Sequence, residues 1–168
     1  MAALPNLDSN LFIDGPGASN LTIQRGADAT EEFRIFTVNG GTIAIEGLTL
    51  SNGLAPGTDL DTEGGTTSGS RGGGVSVTST NSNVTLENSV IENSLANNGG
   101  AIANSGALNV VNSTIADNQG VNGGGIIVID GSVNITNSTI AGNRAEIGGG
   151  IFNSVANLTV TSSTIANN

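Results

Sequence analysis

The sequence predicts an all-β fold, a right-handed single-stranded parallel β-helix (β-solenoid) of about 25 residues per coil, on three observations. First, a glycine block followed by an aliphatic residue recurs: Gly72-Gly73-Gly74-Val75, Gly99-Gly100-Ala101-Ile102, Gly123-Gly124-Gly125-Ile126 and Gly148-Gly149-Gly150-Ile151. The aliphatics stand 27, 24 and 25 residues apart. Second, Asn88-Ser89-Val90, Asn112-Ser113-Thr114-Ile115, Asn137-Ser138-Thr139-Ile140 and Ser162-Ser163-Thr164-Ile165 form a parallel series. It sets Val90, Ile115, Ile140 and Ile165 at intervals of 25, and Asn93, Asn118, Asn143 and Asn168 likewise. Third, each repeat holds three short stretches of period-2 alternation, such as Ile126-Ile127-Val128, Val133-Asn134-Ile135 and Thr139-Ile140-Ala141. Alternation of β-branched residues without helical spacing reads as strand. A β-sandwich, the competing architecture, rarely repeats one sequence at a fixed short period.

Composition fits a narrow interior. The aromatics are Phe12, Phe33, Phe36 and Phe152, with no Trp or Tyr, so small aliphatics must fill the core. The expected inward set is Val84, Leu86, Val90; Leu108, Val110, Ile115; Val133, Ile135, Ile140; and Leu158, Val160, Ile165. Glycine and asparagine fall at the corners, where the backbone takes positive φ or approaches a neighbour closely. Stacked asparagines can also exchange amide hydrogen bonds from coil to coil. One coil buries five or six aliphatics at about 1.5–3 kcal/mol each, while ordering its backbone costs on the order of 1–2 kcal/mol per residue. Only a stack of coils is stable.

The whole chain, 1–168, reads as one β-helix domain, with its regular coils at 72–168. In the N-terminal part Leu21-Thr22-Ile23 and Ile43-Ala44-Ile45 look like strands 22 apart, and Ile43 to Leu50 matches Val133 to Ile140 position by position. Residues 53–71 read as an inserted acidic Gly/Thr/Ser loop on one face of the solenoid.

Charge excludes some partners. The net charge is −10, and Lys, His and Cys are absent. Nucleic acid and anionic membrane surfaces both call for Lys or Arg. No apolar run approaches the roughly 20 residues of a membrane span, so membrane insertion is not expected. Met1-Ala2-Ala3-Leu4-Pro5 has neither the basic start nor the apolar core of a signal peptide.

Leu4 to Ile23, Ile45 to Gly53 and the rungs running from Gly-Gly-Gly-Ile to Leu158–Asn168 resemble the parallel β-helix repeats of large bacterial surface and secreted proteins. Gly99-Gly100-Ala101-Ile102 is also similar to the repeats of polymorphic outer-membrane proteins. The resemblance implies the fold over nearly the whole chain. For function it implies a passenger or matrix segment. Pectate lyases and polygalacturonases share the fold, so the fold by itself does not decide between scaffold and enzyme.

Candidate sites are few. A galacturonan hydrolase needs clustered Asp, commonly with His and Lys, and the last two are missing. Glu92 and Asp117, 25 apart, are expected to stack on adjacent coils, where two carboxylates could form a glycosidase pair; the plainer reading is a solvated corner. Glu46 and Glu87 are expected at matching positions facing solvent, and Arg71 is the one candidate for a lyase base. Asp59, Asp61 and Glu63, followed by Gly64, have the alternate-carboxylate spacing with which a calcium loop begins, but position 12 of such a loop is Ser70 rather than a carboxylate. Apart from calcium there, no cofactor is expected. The sequons at Asn20, Asn83, Asn112, Asn134, Asn137 and Asn157 follow from the repeat itself.

The expectation is therefore a non-enzymatic structural scaffold, extracellular or at a cell surface. Its expected partner is itself, head to tail through the terminal coils, or further coils of a longer chain. The alternative is a carbohydrate-binding or carbohydrate-active β-helix module.

Overall fold

The computed structural model describes residues 4–57 and 70–168. Among the described residues, seventeen short strands wind into a solenoid with three parallel sheets, and there is no helix. The first sheet stacks β1 (Leu11–Asp14), β4 (Thr42–Glu46), β7 (Asn83–Glu87), β10 (Ala107–Val111), β13 (Ser132–Thr136) and β16 (Asn157–Thr161). The second stacks β2 (Thr22–Gln24), β5 (Thr49–Ser51), β8 (Val90–Glu92), β11 (Thr114–Ala116), β14 (Thr139–Ala141) and β17 (Thr164–Ala166). The third stacks β3 (Phe36–Val38), β6 (Val75–Val77), β9 (Ile102–Asn104), β12 (Ile126–Val128) and β15 (Ile151–Asn153). Every neighbouring pair is three strands apart in sequence, as a chain that winds through all three sheets once per coil requires.

Stacking aligns like side chains. Val75, Ile102, Ile126 and Ile151 pair in register, joined at the N-terminal end by Phe36. Ile43, Val84, Leu108 and Val133 form one buried column, and Leu50, Ile91, Ile115 and Ile140 another. The match of Ile43–Leu50 with Val133–Ile140 holds. Along the first sheet successive coils are offset by 32, 41, 24, 25 and 25 residues.

That 24-residue step corrects the expected register. Val90 pairs with Thr114 and faces outward, while Ile91 pairs with Ile115 and is fully buried. The interior member of that coil is therefore Ile91, not Val90. The reason lies within the coil: the seven-residue step from Val133 to Ile140, repeated from Leu108 to Ile115, leads from Val84 to Ile91. The same slip moves Ser94, rather than Asn93, into line with Asn118. In the N-terminal part, Leu21–Ile23 is not a copy of Ile43–Ile45. Ile23 pairs with Leu50 in the second sheet, whereas Ile43 pairs with Leu11 in the first.

The corners take left-handed backbone in three columns. Asn88, Asn112, Asn137 and Ser162 have φ of 47–50°, and Asn93, Asp117 and Asn167 have φ of 53–56°. The third column is Gly72, Gly99, Gly123 and Gly148. A Cβ on Gly99 would overlap the carbonyl of Ile102, so a residue other than glycine is excluded there by contact as well as by φ.

At the flanks of the expected insertion the chain is still part of the stack. The Ala55 N–H donates to the Leu95 carbonyl at 2.9 Å, and Arg71 bridges to Asn98. Ala55 and Ser70 are buried. The large exposed hydrophobics among the described residues all lie on the first and last coils: Leu4, Leu11, Phe12 and Leu21 at one end, Ile147, Val155, Val160 and Ile165 at the other.

Candidate functional site

The polar residues that recur from the coil of β7 and β8 onward form two ladders at the corners flanking the second sheet. In each corner the left-handed residue comes first and the ladder residue follows it. Next to β11, for instance, Asn112 turns the chain and Ser113 forms the rung, and on the other side Asp117 turns and Asn118 forms the rung. The expected stack of asparagines is thus present, but the amides that stack are not those that take positive φ.

The serine ladder is Ser89, Ser113, Ser138 and Ser163. Each backbone N–H donates to the hydroxyl of the next coil, Ser89 N to Ser113 Oγ at 3.1 Å, Ser113 N to Ser138 Oγ at 3.1 Å and Ser138 N to Ser163 Oγ at 3.0 Å. Each hydroxyl then donates to the carbonyl two residues before it, as Ser113 Oγ does to Val111 at 2.7 Å. The asparagine ladder is richer. Asn118 N and Nδ2 both donate to Asn143 Oδ1, at 3.1 and 2.9 Å, and Asn143 repeats this toward Asn168 at 3.0 and 2.9 Å. Asn143 Nδ2 also reaches the carbonyls of Ile115 and Ala141 at 2.9 and 3.2 Å. Both ladders are buried over most of their length. In that setting an unmet amide or hydroxyl would carry its full desolvation penalty. These side chains are therefore structural, and the sequence pattern signalled the asparagines but not the serines.

Carboxylates take a different column. Asp14, Glu46 and Glu87 pair in register on β1, β4 and β7, roughly 4.8 Å from strand to strand. The expected match of Glu46 with Glu87 holds, and Asp14 extends it. Asn88 Nδ2 donates to Glu46 Oε1 at 3.2 Å. Among the described residues no group of His, Cys, Asp or Glu is placed to hold a metal ion. Glu92 and Asp117 do not stack: Glu92 pairs with Ala116, and Asp117 occupies the corner column with Asn93. The 24-residue coil separates them. Asp59, Asp61 and Glu63 lie outside the described residues.

Two of the four arginines brace the fold through their side chains. Arg25 donates from Nε to the Glu31 carbonyl at 3.0 Å and from Nη2 to the Ala29 carbonyl at 2.6 Å, with its guanidinium 5.9 Å from the Phe33 ring centre. Arg34 donates from Nε to the Arg71 carbonyl at 3.0 Å, and burial lowers its pKa from the ordinary value. Arg71 thus enters through its backbone at a coil corner. The sequon residues Asn112 and Asn137 are corner residues, and Asn134 Nδ2 donates to Asn109 Oδ1 at 3.2 Å across the outer face of the first sheet. A depression of about 590 Å³ near the N-terminal end of that sheet is lined by Asn10, Leu11, Phe12, Thr42 and Ala44, with no ionisable side chain in its wall.

Comparison with protein-family models, with curated proteins and with solved structures finds no match to the chain.

Proposed function

We propose that the chain is a non-enzymatic structural scaffold module of a cell surface or extracellular matrix. On this reading its end faces take further β-coils, those of a second copy head to tail or those of a longer chain. The observation that carries it is the fate of the recurring polar side chains. The Ser and Asn rungs direct their side-chain donors and acceptors to backbone and side chains of their own and the neighbouring coil, so the repeat is arranged to prolong itself rather than to hold a substrate. Two features support contact at the ends. The exposed large aliphatics gather on the terminal coils, and the last coil, from Ile147 to Asn168, carries no charged side chain that would repel the acidic remainder. The likeness of the rungs to bacterial surface and polymorphic outer-membrane repeats supports the extracellular setting.

The test has two arms. Incubation with pectin, alginate and related polymers should release no oligosaccharide, and release would overturn the scaffold reading in favour of a carbohydrate-active module. Electron microscopy at high concentration should show linear particles longer than one chain. Single particles of one-chain length would remove the self-assembly arm.

A further inference from the structure

Asparagine followed by Gly or Ser is chemically labile, because the following backbone nitrogen can attack the side-chain amide with little steric hindrance. The chain holds eleven such pairs, four of them Asn-Gly. Attack requires a free, deprotonated backbone nitrogen, so an N–H held in a hydrogen bond is protected. Ten of the eleven are held. Ser89, Ser94, Ser113 and Ser138 donate into the corner ladders. Gly99 N donates to the Asn122 carbonyl at 2.8 Å, Gly123 N to the Ile147 carbonyl at 2.9 Å and Gly53 N to Ser94 Oγ at 3.3 Å. Ser82, Ser105 and Ser154 donate to backbone carbonyls at 2.9–3.1 Å. The eleventh is Gly40, whose N–H has no hydrogen-bond partner among the described residues. It follows the exposed Asn39 in the turn between β3 and β4.

We propose that Asn39-Gly40 is a site of spontaneous succinimide formation and deamidation, selected by the fold from the eleven labile pairs, and that its conversion loosens the N-terminal segment. The Gly40 nitrogen attacks Cγ of Asn39. The new C–N bond forms as the Cγ–Nδ2 bond breaks, and Nδ2 leaves as ammonia with the proton that the Gly40 nitrogen gave up to water. Water then opens the ring at either carbonyl, leaving aspartate or isoaspartate. One water is consumed, one ammonia is released, and no electrons are exchanged. The Thr78 hydroxyl donates to Asn39 Oδ1 at 2.8 Å and so polarises the carbonyl that is attacked.

The environment gives the change a consequence. Asn39 Nδ2 donates to Asp8 Oδ1 at 3.0 Å. Hydrolysis replaces that donor with a carboxylate facing the carboxylate of Asp8. The same turn holds the N-terminal segment, with Leu7 N donating to the Thr37 carbonyl at 2.8 Å and Asn39 N to the Leu7 carbonyl at 3.0 Å. Leu7 packs against the core.

The experiment ages the full chain at mildly alkaline pH, with and without denaturant, and follows each Asn-Gly peptide by mass spectrometry after digestion. In the native protein the Asn39 peptide should convert first. It should lead the Asn52, Asn98 and Asn122 peptides by roughly tenfold, the factor that one hydrogen bond held shut would set. In denaturant the four should converge. Gly40→Ala, whose Cβ meets only the Asp8 carbonyl at 3.5 Å, should keep the fold and slow the reaction. Faster exchange of the Leu7 and Asn39 amides should accompany conversion. Leading conversion at Asn52, Asn98 or Asn122 in the native protein, or an unchanged rate in Gly40→Ala, would overturn the assignment. Unchanged exchange after conversion would overturn the loosening.

Discussion

Replacing Asn143 with Ala tests whether the asparagine ladder holds the coils together. Asn143 is 1% exposed, and its side chain has five polar partners, three of them sharing the two N–H donors of Nδ2. It accepts from Asn118 N and Nδ2 and donates to the carbonyls of Ile115 and Ala141 and to Asn168 Oδ1. Truncation leaves the Asn118 backbone N–H with no acceptor and strips a donor from two carbonyls. At about 1–3 kcal/mol for each buried group left unmet, and with some relief by entering water, the loss should be about 3–5 kcal/mol. That is about a fifth or more of the stability of an ordinary domain, roughly 5–15 kcal/mol. Asn143→Ser should be milder, because Ser94 occupies the same column and accepts from Gly53 N through its hydroxyl. Asn134→Ala is the control: it lies on the exposed outer face with one amide contact at 3.2 Å, and should change stability by less than about 0.5 kcal/mol. Denaturant unfolding gives the magnitudes, and hydrogen exchange should place the Asn143→Ala loss on the coils of Asn118 and Asn168. Equal, small effects from Asn143→Ala and Asn134→Ala would refute the reasoning.

The corrected register is tested by Ile91→Asp and Val90→Asp. The first buries an unpaired charge in the core and should unfold at least its own and the adjoining coils, while the second faces outward and should leave the circular dichroism melt nearly unchanged. Gly99→Ala should cost about 2 kcal/mol or more, since φ is 68° and the methyl group meets the Ile102 carbonyl. Gly57→Ala, with φ of 73° but open space around it, should lose only about 1 kcal/mol from the left-handed conformation, and equal losses in the two would show that contact at Gly99 does not matter. Ile165→Asp, at a side chain 47% exposed on the last coil, should suppress concentration-dependent light scattering without lowering the melting temperature much. Scattering that matches the parent protein would remove that end from the proposed contact.

How much of this was legible in the sequence differs from part to part, for physical reasons. The fold was legible because a solenoid repeats its constraints: the same corner must be turned and the same interior filled in every coil. Gly72, Gly99, Gly123 and Gly148 announced one corner column, and Ile115, Ile140 and Ile165 one interior column. Register failed where the coil shortened by a residue, at Val90. A repeat period measured between coils cannot locate a deletion, whereas the fixed seven-residue step within a coil can. The same one-residue shortening separates Glu92 from Asp117. The serine ladder went unread because Ser following Asn is equally at home in a solvent-facing turn, and only the 3.1 Å bond from Ser89 N to Ser113 Oγ reveals its role. Asp14 joined Glu46 and Glu87 only through a 32-residue first coil that the later period does not predict.

The ladders also give the stack a direction. In both, the backbone N–H of one coil donates to a side-chain oxygen of the coil that follows it in sequence. Each begins without a side-chain acceptor of its own, at Leu48 N donating to Ser89 Oγ and Gly53 N donating to Ser94 Oγ. The strands are parallel throughout, so the two faces of each coil that carries a rung are chemically different, one offering side-chain oxygens and the other backbone donors. A contact that prolongs this pattern joins unlike faces. Between copies such a contact is heterologous and, along a straight stack, does not close on itself. A two-fold pairing of like ends would set donor against donor at Ser163 and Asn168 and run the facing strands antiparallel, against the geometry that every internal coil uses.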